Sequence, residues 1–585
     1  MREMAGLMTH RGPDGEGFWL NGPVGLGHRR LSIIDLSERG RQPMSNEDGT
    51  IWVTFNGEIY NYQELKKELD IRHQFKSASD TEILLHGYEE WGLDLLKRLR
   101  GMFAFALYDG RQEKLFLATD HAGQKPLYYF FDEDKKIFYF SSEIKPILEA
   151  SQIPRRINLK ALHLYFIHNW RHIPHPHTII ENIYKLEPSS YLVLDLKTGK
   201  WQVDYYWRPD FSKVRISAKK LMEDYRTIAK KCISLVSVSD VPIAVSLSGG
   251  VDTSTIVALM DNPSQLHTYS IGFNRDDPEL QRARQIATAY KTIHQEIIFD
   301  KESFSDLERL IEIYGEPLNL LPALHLYKIS ERAKKDVKVL IGGNGADEIF
   351  YGYDGTARLR RVSVLLDLFG WLWPSLKNKL KGNLYRRKGN YLKNNLYLEN
   401  VRSEIGEVDE GAIIDRYSRE SNSSHWIEKS YYSGLMTENQ HSVTIIADLA
   451  GMANSVEVRA PFLDHKMIEF ASSLPVKFKA GSWFGRRYNK YIMKRSMEGI
   501  LPNNILYAPK MGLGYNIKIG RLIVGDWRSQ VEEILFSFLP QINIFNINFI
   551  KEKFIEHEKG EADNSALLWG LVVFGVWHKK FIAKI

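Results

Sequence analysis

The stretch Ser248-Gly249-Gly250-Val251-Asp252-Thr253-Ser254 carries residue types that bind phosphate. It follows an apolar run at residues 241–247 and opens a helix-like run at 253–260. A strand that ends in a glycine turn and feeds a helix presents bare backbone N–H groups and the positive end of the helix dipole, which attract an anion. No Gly-Lys-Ser/Thr follows, so this is not a Walker A loop. Taken alone, the stretch also reads as a plain glycine turn, and Asp252 as a helix cap. A second glycine-rich stretch, Gly342-Gly343-Asn344-Gly345-Ala346-Asp347-Glu348, ends another apolar run. In the first third, Asn56-Gly57 alone reads as a hairpin turn. Asp80, just ahead of Thr81-Glu82, reads alone as a helix N-cap.

The elements that must position these residues divide the chain. A length of 585 residues is too great for one core and predicts two or more domains. Residues 1–205 read as short strands and turns: 24–34, 51–55, 102–108, 114–118 and 137–141 are β-rich or alternating, while 64–69 and 80–91 have helical spacing. That pattern predicts an α+β layered domain that closes with residues 186–206. Over residues 215–585 strand candidates (241–247, 266–273, 337–341) alternate with longer helix candidates (254–260, 279–290, 324–334). The alternation predicts an α/β doubly wound parallel sheet, with a mostly helical part from about 355 onward. Ligands of such sheets sit beyond the carboxyl ends of the strands, where both glycine stretches fall.

Composition narrows the function classes. With 44% hydrophobic and 26% charged residues the chain is an ordinary globular one. A net charge of +6, with both signs mixed, is no electrostatic footprint for nucleic acid. The basic residues at 358–361 and 386–388 read as a solvated helical face rather than a membrane or partner surface. Cys232 is the one cysteine, which rules out an intrachain disulfide framework and fits a reducing compartment. The first residues do not read as a signal peptide, and the apolar run at 565–577 is expected to be a buried helix too short to span a bilayer. The expectation is a soluble, cytoplasmic protein.

Read in order, the motifs resemble a known family. Arg11-Gly12-Pro13-Asp14, His28-Arg29-Arg30-Leu31-Ser32, Asn56-Gly57-Glu58-Ile59-Tyr60-Asn61, Ser79-Asp80 and Gly101-Met102-Phe103-Ala104 resemble the glutaminase domain of class II glutamine amidotransferases, which is Ntn-hydrolase-like. The Ser-Gly-Gly-x-Asp-Thr loop resembles the pyrophosphate loop of enzymes that cleave ATP to AMP and pyrophosphate. Ser270-Ile271-Gly272-Phe273, the stretch from Gly342 to Phe350, Ser455-Val456-Glu457-Val458-Arg459-Ala460-Pro461-Phe462-Leu463-Asp464 and Lys510-Met511-Gly512-Leu513-Gly514 follow in family order. The whole chain thus resembles the glutamine-hydrolysing asparagine synthetase family.

The resemblance implies ATP-dependent amidation of aspartate to asparagine through an adenylated intermediate, with nitrogen from glutamine or ammonia. It implies an oxyanion hole made by the Asn56 side chain and the Gly57 N–H. Arg30 would hold the carboxylate of glutamine, and Glu58 and Asp80 its α-amino group. Ser246, Leu247, Ser248, Gly249, Gly250, Asp252, Thr253, Ile271, Gly342 and Gly343 would line ATP, with Ile271 on the adenine. Asp252 and Asp347 would hold Mg²⁺ on the pyrophosphate, since hard cations prefer oxygen ligands. Lys510 would stabilise transition-state charge, and Asn344 stands at an acid–base position. The implied partners are small molecules, with no nucleic acid or membrane; a homodimer is left open.

The sequence departs from the family pattern in several places. The family nucleophile is an N-terminal cysteine whose own amino group is the base, whereas this sequence begins Met1-Arg2-Glu3-Met4. The expectation is a misassigned start, with the first strand and its cysteine lying upstream. As written, the chain is not expected to hydrolyse glutamine by this route, and loss of a strand is expected to open a sheet edge. Cys232, in the helical run at 218–235, is expected to be structural. Asn344 replaces a usual Glu or Asp and has no proton-accepting capacity near neutral pH. Two alternatives follow: a related amidotransferase acting on another carboxylate, such as a sugar acid or peptide, or a degenerate non-catalytic homologue. Intact Asp252, Asp347 and Lys510 oppose the second. Tyr351 stands for a usual glycine, and Thr119 and His121 for usual arginines expected to concern packing and the domain interface.

Overall fold

The computed structural model describes residues 1–168, 172–214, 216–299, 304–318, 321–353, 387–409, 411–437, 440–483, 486–509 and 519–584. Lys510 and the glycine stretch after it, the basic residues at 358–361 and Arg386 lie outside the described residues.

The first part of the chain is strand-rich. β1 (Gly15–Asn21) and β2 (Val24–Arg30) form an antiparallel hairpin. β3 (Met44–Ser45), β4 (Ile51–Ile59), β5 (Gly101–Asp109) and β6 (Lys114–Thr119) belong to the main sheet. β7 (Tyr128–Asp132), β8 (Ile137–Ser141) and β9 (Tyr184–Lys185) form a small antiparallel sheet, and β10 (Ser190–Asp195) and β11 (Trp201–Tyr205) return to the main one. The main sheet is six-stranded and antiparallel, in the order β11-β10-β6-β5-β4-β3. Alternation along β4 sorts its side chains between two layers. Ile51, Val53 and Phe55 pack on the helices Tyr62–Leu69 and Glu82–Trp91. Trp52 faces the other way, into a cluster with Val24, Leu26 and Tyr129 from the smaller sheets. The result is a layered α+β arrangement.

The second part carries a parallel sheet. β12 (Ile243–Ser246), β13 (His267–Gly272), β14 (Ile293–Ile298), β15 (Val339–Ile341) and β16 (Glu457–Arg459) lie in the order β14-β13-β12-β15-β16. Every neighbouring pair is parallel. The chain runs outward from β12 to one edge, then returns to fill the other, so the strand order reverses between β12 and β15. β14 and β16 are not among the sequence-based strand candidates. Both are edge strands, where burial on two faces is not required: β14 holds His294, Gln295 and Glu296, and β16 is three residues long.

The largest core joins the two parts. Ile144, Ile147, Tyr165 and Ile180 pack with Leu310, Ile446 and the helix Ser565–His578. That helix continues through Ala583, longer than the apolar run in the sequence. Among the described residues, Ser565–Ala583 is long and apolar enough to cross a membrane, which corrects the expectation of a segment too short to span. Leu568, Trp569, Leu571 and Trp577 are nevertheless fully buried, so protein covers its apolar surface.

Candidate functional site

The apolar residues Ala244 and Val245 bury β12 at the centre of the parallel sheet. Leu247 continues it, donating its N–H to Tyr269 O at 2.8 Å. The chain then turns at Gly249, where φ is +68° and a Cβ would lie 2.6 Å from Ala283 N. Only glycine lets this turn close on the helix Pro278–Tyr290. Gly250 caps the nine-residue helix Val251–Leu259 with no side chain on its first N–H groups. Those donors have no intrahelical acceptor and face the end of β12. Ser248 N–H donates to Thr253 Oγ1 at 3.1 Å, and the two hydroxyls meet at 3.1 Å.

The second glycine loop abuts the first. A Cβ on Gly343 would lie 3.0 Å from Asp252 Cβ and 3.1 Å from Thr253 Cγ2. Asn344 Nδ2 donates to Val443 O at 3.4 Å. Ile271 stands half-buried near the end of β13, next to β12. The loops after β12 and β15 therefore meet where the strand order reverses, the usual place for a ligand in such sheets.

Asp252 does not cap its helix. Both its oxygens lie against Lys490 Nζ, at 2.7 and 2.5 Å, and Asp347 Oδ1 lies 2.7 Å from the same Nζ. Lys490 is buried, its side chain 5% exposed. Burial alone would lower its pKa, but Asp252 and Asp347 outweigh it and raise it, so the ammonium stays charged. A Cβ on Gly352 would fall 1.7 Å from Asp347 Oδ1, so glycine makes room for the pair. Two carboxylates around one ammonium leave negative charge and hard oxygen donors at the loop ends, a donor set suited to Mg²⁺. Lys490 was not a sequence candidate. It follows Arg486 and Arg487 and precedes Lys494, and a basic run reads as surface.

A second pocket, open to solvent, is lined by Arg30, Asn56, Gly57, Glu58 and Asp80 among others. Gly57 is not in a hairpin turn. It lies inside β4 with φ +142°, and a Cβ would fall 2.0 Å from Met102 O on β5. Asn56 Nδ2 donates to Ser142 Oγ at 3.4 Å. The Arg30 guanidinium donates to Ser37 O at 2.8 Å and to Asp35 O, which fixes its position at the rim. Asp80 is not the helix cap either; Thr81 holds that place, and Asp80 Oδ2 accepts the Ile59 N–H at 2.7 Å. Burial, with Glu457 adding repulsion, pushes the Asp80 pKa up to about 7. Burial and Asp80 push Glu58 up as well. Glu58 Oε2 accepts from Arg459 at 3.0 Å, while its buried Oε1 makes no hydrogen bond. The lining holds three carboxyl groups, Glu58, Asp80 and Glu457, against three arginines, Arg11, Arg29 and Arg30.

Arg459 ties the two sites together. It is fully buried, donates to Val236 O, Val238 O and Glu457, and its own carbonyl accepts the Gly342 N–H at 2.9 Å. Other buried charges cross the same seam: Arg11 and Lys125 both reach Asp448, at 2.6 and 2.7 Å, and Arg100 reaches Asp464 at 2.9 Å. His121 stacks on His465 across it, with ring centroids 4.1 Å apart, and Thr119 Oγ1 donates to Glu187 O. Cys232 is buried in the helix Ala218–Val236, where burial raises its thiol pKa well above the usual value. Tyr351 holds φ +60°, the left-handed region that favours glycine, and stacks on Tyr431 at 3.7 Å.

Comparison with known proteins agrees with this division. A glutamine amidotransferase domain profile matches residues 1–207, and an asparagine synthase profile matches residues 225–579. The chain is 32% identical over 614 residues to glutamine-hydrolysing asparagine synthetase 1 of Bacillus subtilis (strain 168), covering 100% of this chain and 94% of that protein. It is 37% identical over 421 residues to putative glutamine-hydrolysing asparagine synthetase 2 of Methanocaldococcus jannaschii, covering 66% of this chain and 80% of that protein. It is 30% identical over 535 residues to glutamine-hydrolysing asparagine synthetase 3 of Bacillus subtilis, covering 87% of this chain and 83% of that protein. The chain therefore belongs to the asparagine synthase family, with a glutamine amidotransferase domain ahead of its synthase domain.

Proposed function

We propose that the chain uses ATP to adenylate the side-chain carboxylate of aspartate, releasing pyrophosphate. Ammonia then attacks the acyl carbon, AMP leaves, and asparagine is the product. The observation that carries this reading is the Asp252–Lys490–Asp347 cluster beside an uncapped helix N-terminus at the strand-order reversal. The first-turn N–H groups of Val251–Leu259 and the hydroxyls of Ser248 and Thr253 hold phosphate oxygens. Asp252 and Asp347 would hold Mg²⁺, which supplies charge neutralisation on the pyrophosphate when bound. Lys490 lies within reach of the same phosphates, and Lys510 is assigned to transition-state charge. Ile271 packs on the adenine. Asn344 takes no proton, so ammonia must attack as the free base.

The amidotransferase pocket binds glutamine in this reading. Its α-ammonium meets the buried carboxyl groups of Glu58 and Asp80, and Arg30 takes its carboxylate. Asn56 and Gly57 face the amide. The substrates are small molecules and the setting is the cytoplasm.

The test is incubation of the chain with Mg-ATP, aspartate and ¹⁵N-ammonium, followed by mass spectrometry. Labelled asparagine and AMP in equal amounts support the reading. Folded protein that makes AMP only with another carboxylate, a sugar acid or a peptide, would replace aspartate as acceptor.

A further inference from the structure

Away from both sites, four side chains converge beneath the helix Glu82–Trp91. Glu47 comes from the turn between β3 and β4, and His73 from the loop after the helix Tyr62–Leu69. His86 and Glu89 come from Glu82–Trp91 itself, where a spacing of three puts them on one face. One ligand atom from each of the four lies within 4.8 Å of all the others. His86 Nδ1 is 3.5 Å from Glu89 Oε2 and 3.7 Å from Glu47 Oε2, and His73 Nδ1 is 3.8 Å from Glu89 Oε2. Ligands at zinc distances in a tetrahedron stand about 3.3–3.6 Å apart, so these three separations are already close to that spacing.

The outward atoms are already held, which aims the inward ones. Glu82 Oε1 lies 3.4 Å from His86 Nε2 and is itself fixed by Lys76 N–H at 2.7 Å; Glu82 Oε2 accepts from Ser77 N–H at 2.8 Å. That carboxylate places the ring proton on Nε2 and turns the Nδ1 lone pair inward, the arrangement of a carboxylate–histidine–metal triad. Glu89 Oε1 accepts from Asn46 Nδ2 at 2.9 Å and Arg111 at 3.2 Å. Glu47 Oε1 accepts from Gln74 N–H at 3.3 Å. By contrast, His86 Nδ1 and Glu89 Oε2 are buried and make no hydrogen bond, and His86 is 1% exposed. A buried ring nitrogen facing two carboxylate oxygens calls for positive charge between them, from a metal ion or from a ring proton.

We propose that Glu47, His73, His86 and Glu89 form a structural site for a divalent transition metal, with zinc the best match. Two imidazoles and two carboxylates are a borderline donor set that favours zinc over magnesium or calcium. The metal would staple the β3–β4 turn and the 72–77 loop to the helix Glu82–Trp91. Asp80 stands two residues ahead of that helix, so the staple braces the glutamine pocket without touching it.

The full chain, stripped with chelator and dialysed against Zn²⁺ alone, is expected to retain one equivalent by mass spectrometry of the metal. Co²⁺ in its place is expected to give the intense visible bands of a tetrahedral site, and zinc to raise the thermal midpoint. His86→Ala should abolish uptake. Because His86 is buried, Glu47→Gln at the rim is the companion variant, expected to fold as the parent and bind zinc at least about tenfold more weakly. Failure of the reloaded chain to retain zinc would overturn the site in favour of a protonated histidine–carboxylate network. Uptake that both variants leave unchanged, or an octahedral cobalt spectrum, would overturn it equally.

Discussion

The proposed phosphate site and the amidotransferase pocket each set two carboxyl groups against one buried cation, but they draw these groups from different parts of the chain. In the first, a buried ammonium, Lys490, sits between Asp252 and Asp347, all three from the parallel-sheet half. In the second, buried Glu58 and Asp80 belong to the strand-rich half, and the guanidinium that answers them, Arg459, arrives from the other. The phosphate site is thus assembled by one sheet and its loops. The pocket is complete only when the two halves are packed, and the Arg459 carbonyl bonded to Gly342 N–H puts that packing in contact with the nucleotide loop. Making a buried charge pair adds little net stability, but removing one partner is costly because it strands the other.

Lys490→Ala should do the most damage to the first site and none to the second. It leaves two carboxylates facing each other where the proposed reaction would form pyrophosphate. Ammonia-dependent turnover is expected to fall about 10²- to 10³-fold with glutamine binding intact; steady-state rates with parental turnover would break the comparison. Arg459→Ala should break both sites. It leaves Glu58 and Glu457 buried without their partner, a loss of about 3–5 kcal/mol in denaturant melts. A parental midpoint would show that the seam does not depend on it.

Asp80→Asn sharpens the contrast from the other side. Loss of one charge-assisted bond is expected to weaken glutamine binding about 10- to 100-fold by calorimetry, while ammonia-dependent turnover stays. The same residue sets a pH dependence. Its folded pKa of about 7 lies above the ordinary 3.8, so between these values the folded state holds the extra proton. Its contribution to stability is present below the lower value and is lost as pH rises through the upper one. Melts near about pH 5 and about pH 8 should differ less in Asp80→Asn than in the parent. The smallest effect is a gain: Asn344→Asp restores a proton acceptor and should raise ammonia-dependent turnover up to about tenfold. An unchanged or lower rate would remove a base role from this position.

Parts of this were legible in the sequence for physical reasons. The glycine loops announce themselves because Gly249 needs a positive φ and Gly57 a close strand approach, and no other residue type meets either need. The strand β12 and the helices beside it show as apolar runs with periodic spacing. Edge strands β14 and β16 do not, since half-exposed or three-residue strands need no apolar run. Spacing also misread Asn56-Gly57 as a turn and Asp80 as a cap when each is weighed alone. What no spacing reveals is partnership at long range: Lys490 is 238 positions from Asp252, and Arg459 is 401 from Glu58. Arg11, part of a motif, gains its reason from Glu143 beside it and from Asp448 across the seam. The His73, His86 and Glu89 cluster matches no linear motif because a loop and a helix bring it together.

Isotope exchange tests whether the Asp252–Lys490–Asp347 site adenylates aspartate without waiting for the amide product. The chain is incubated with Mg-ATP, labelled pyrophosphate and aspartate, and label entering ATP is counted. Exchange is expected to require aspartate and to disappear in Lys490→Ala. Exchange that proceeds equally without aspartate, or folded protein that exchanges with aspartate in Lys490→Ala as fast as in the parent, would contradict it.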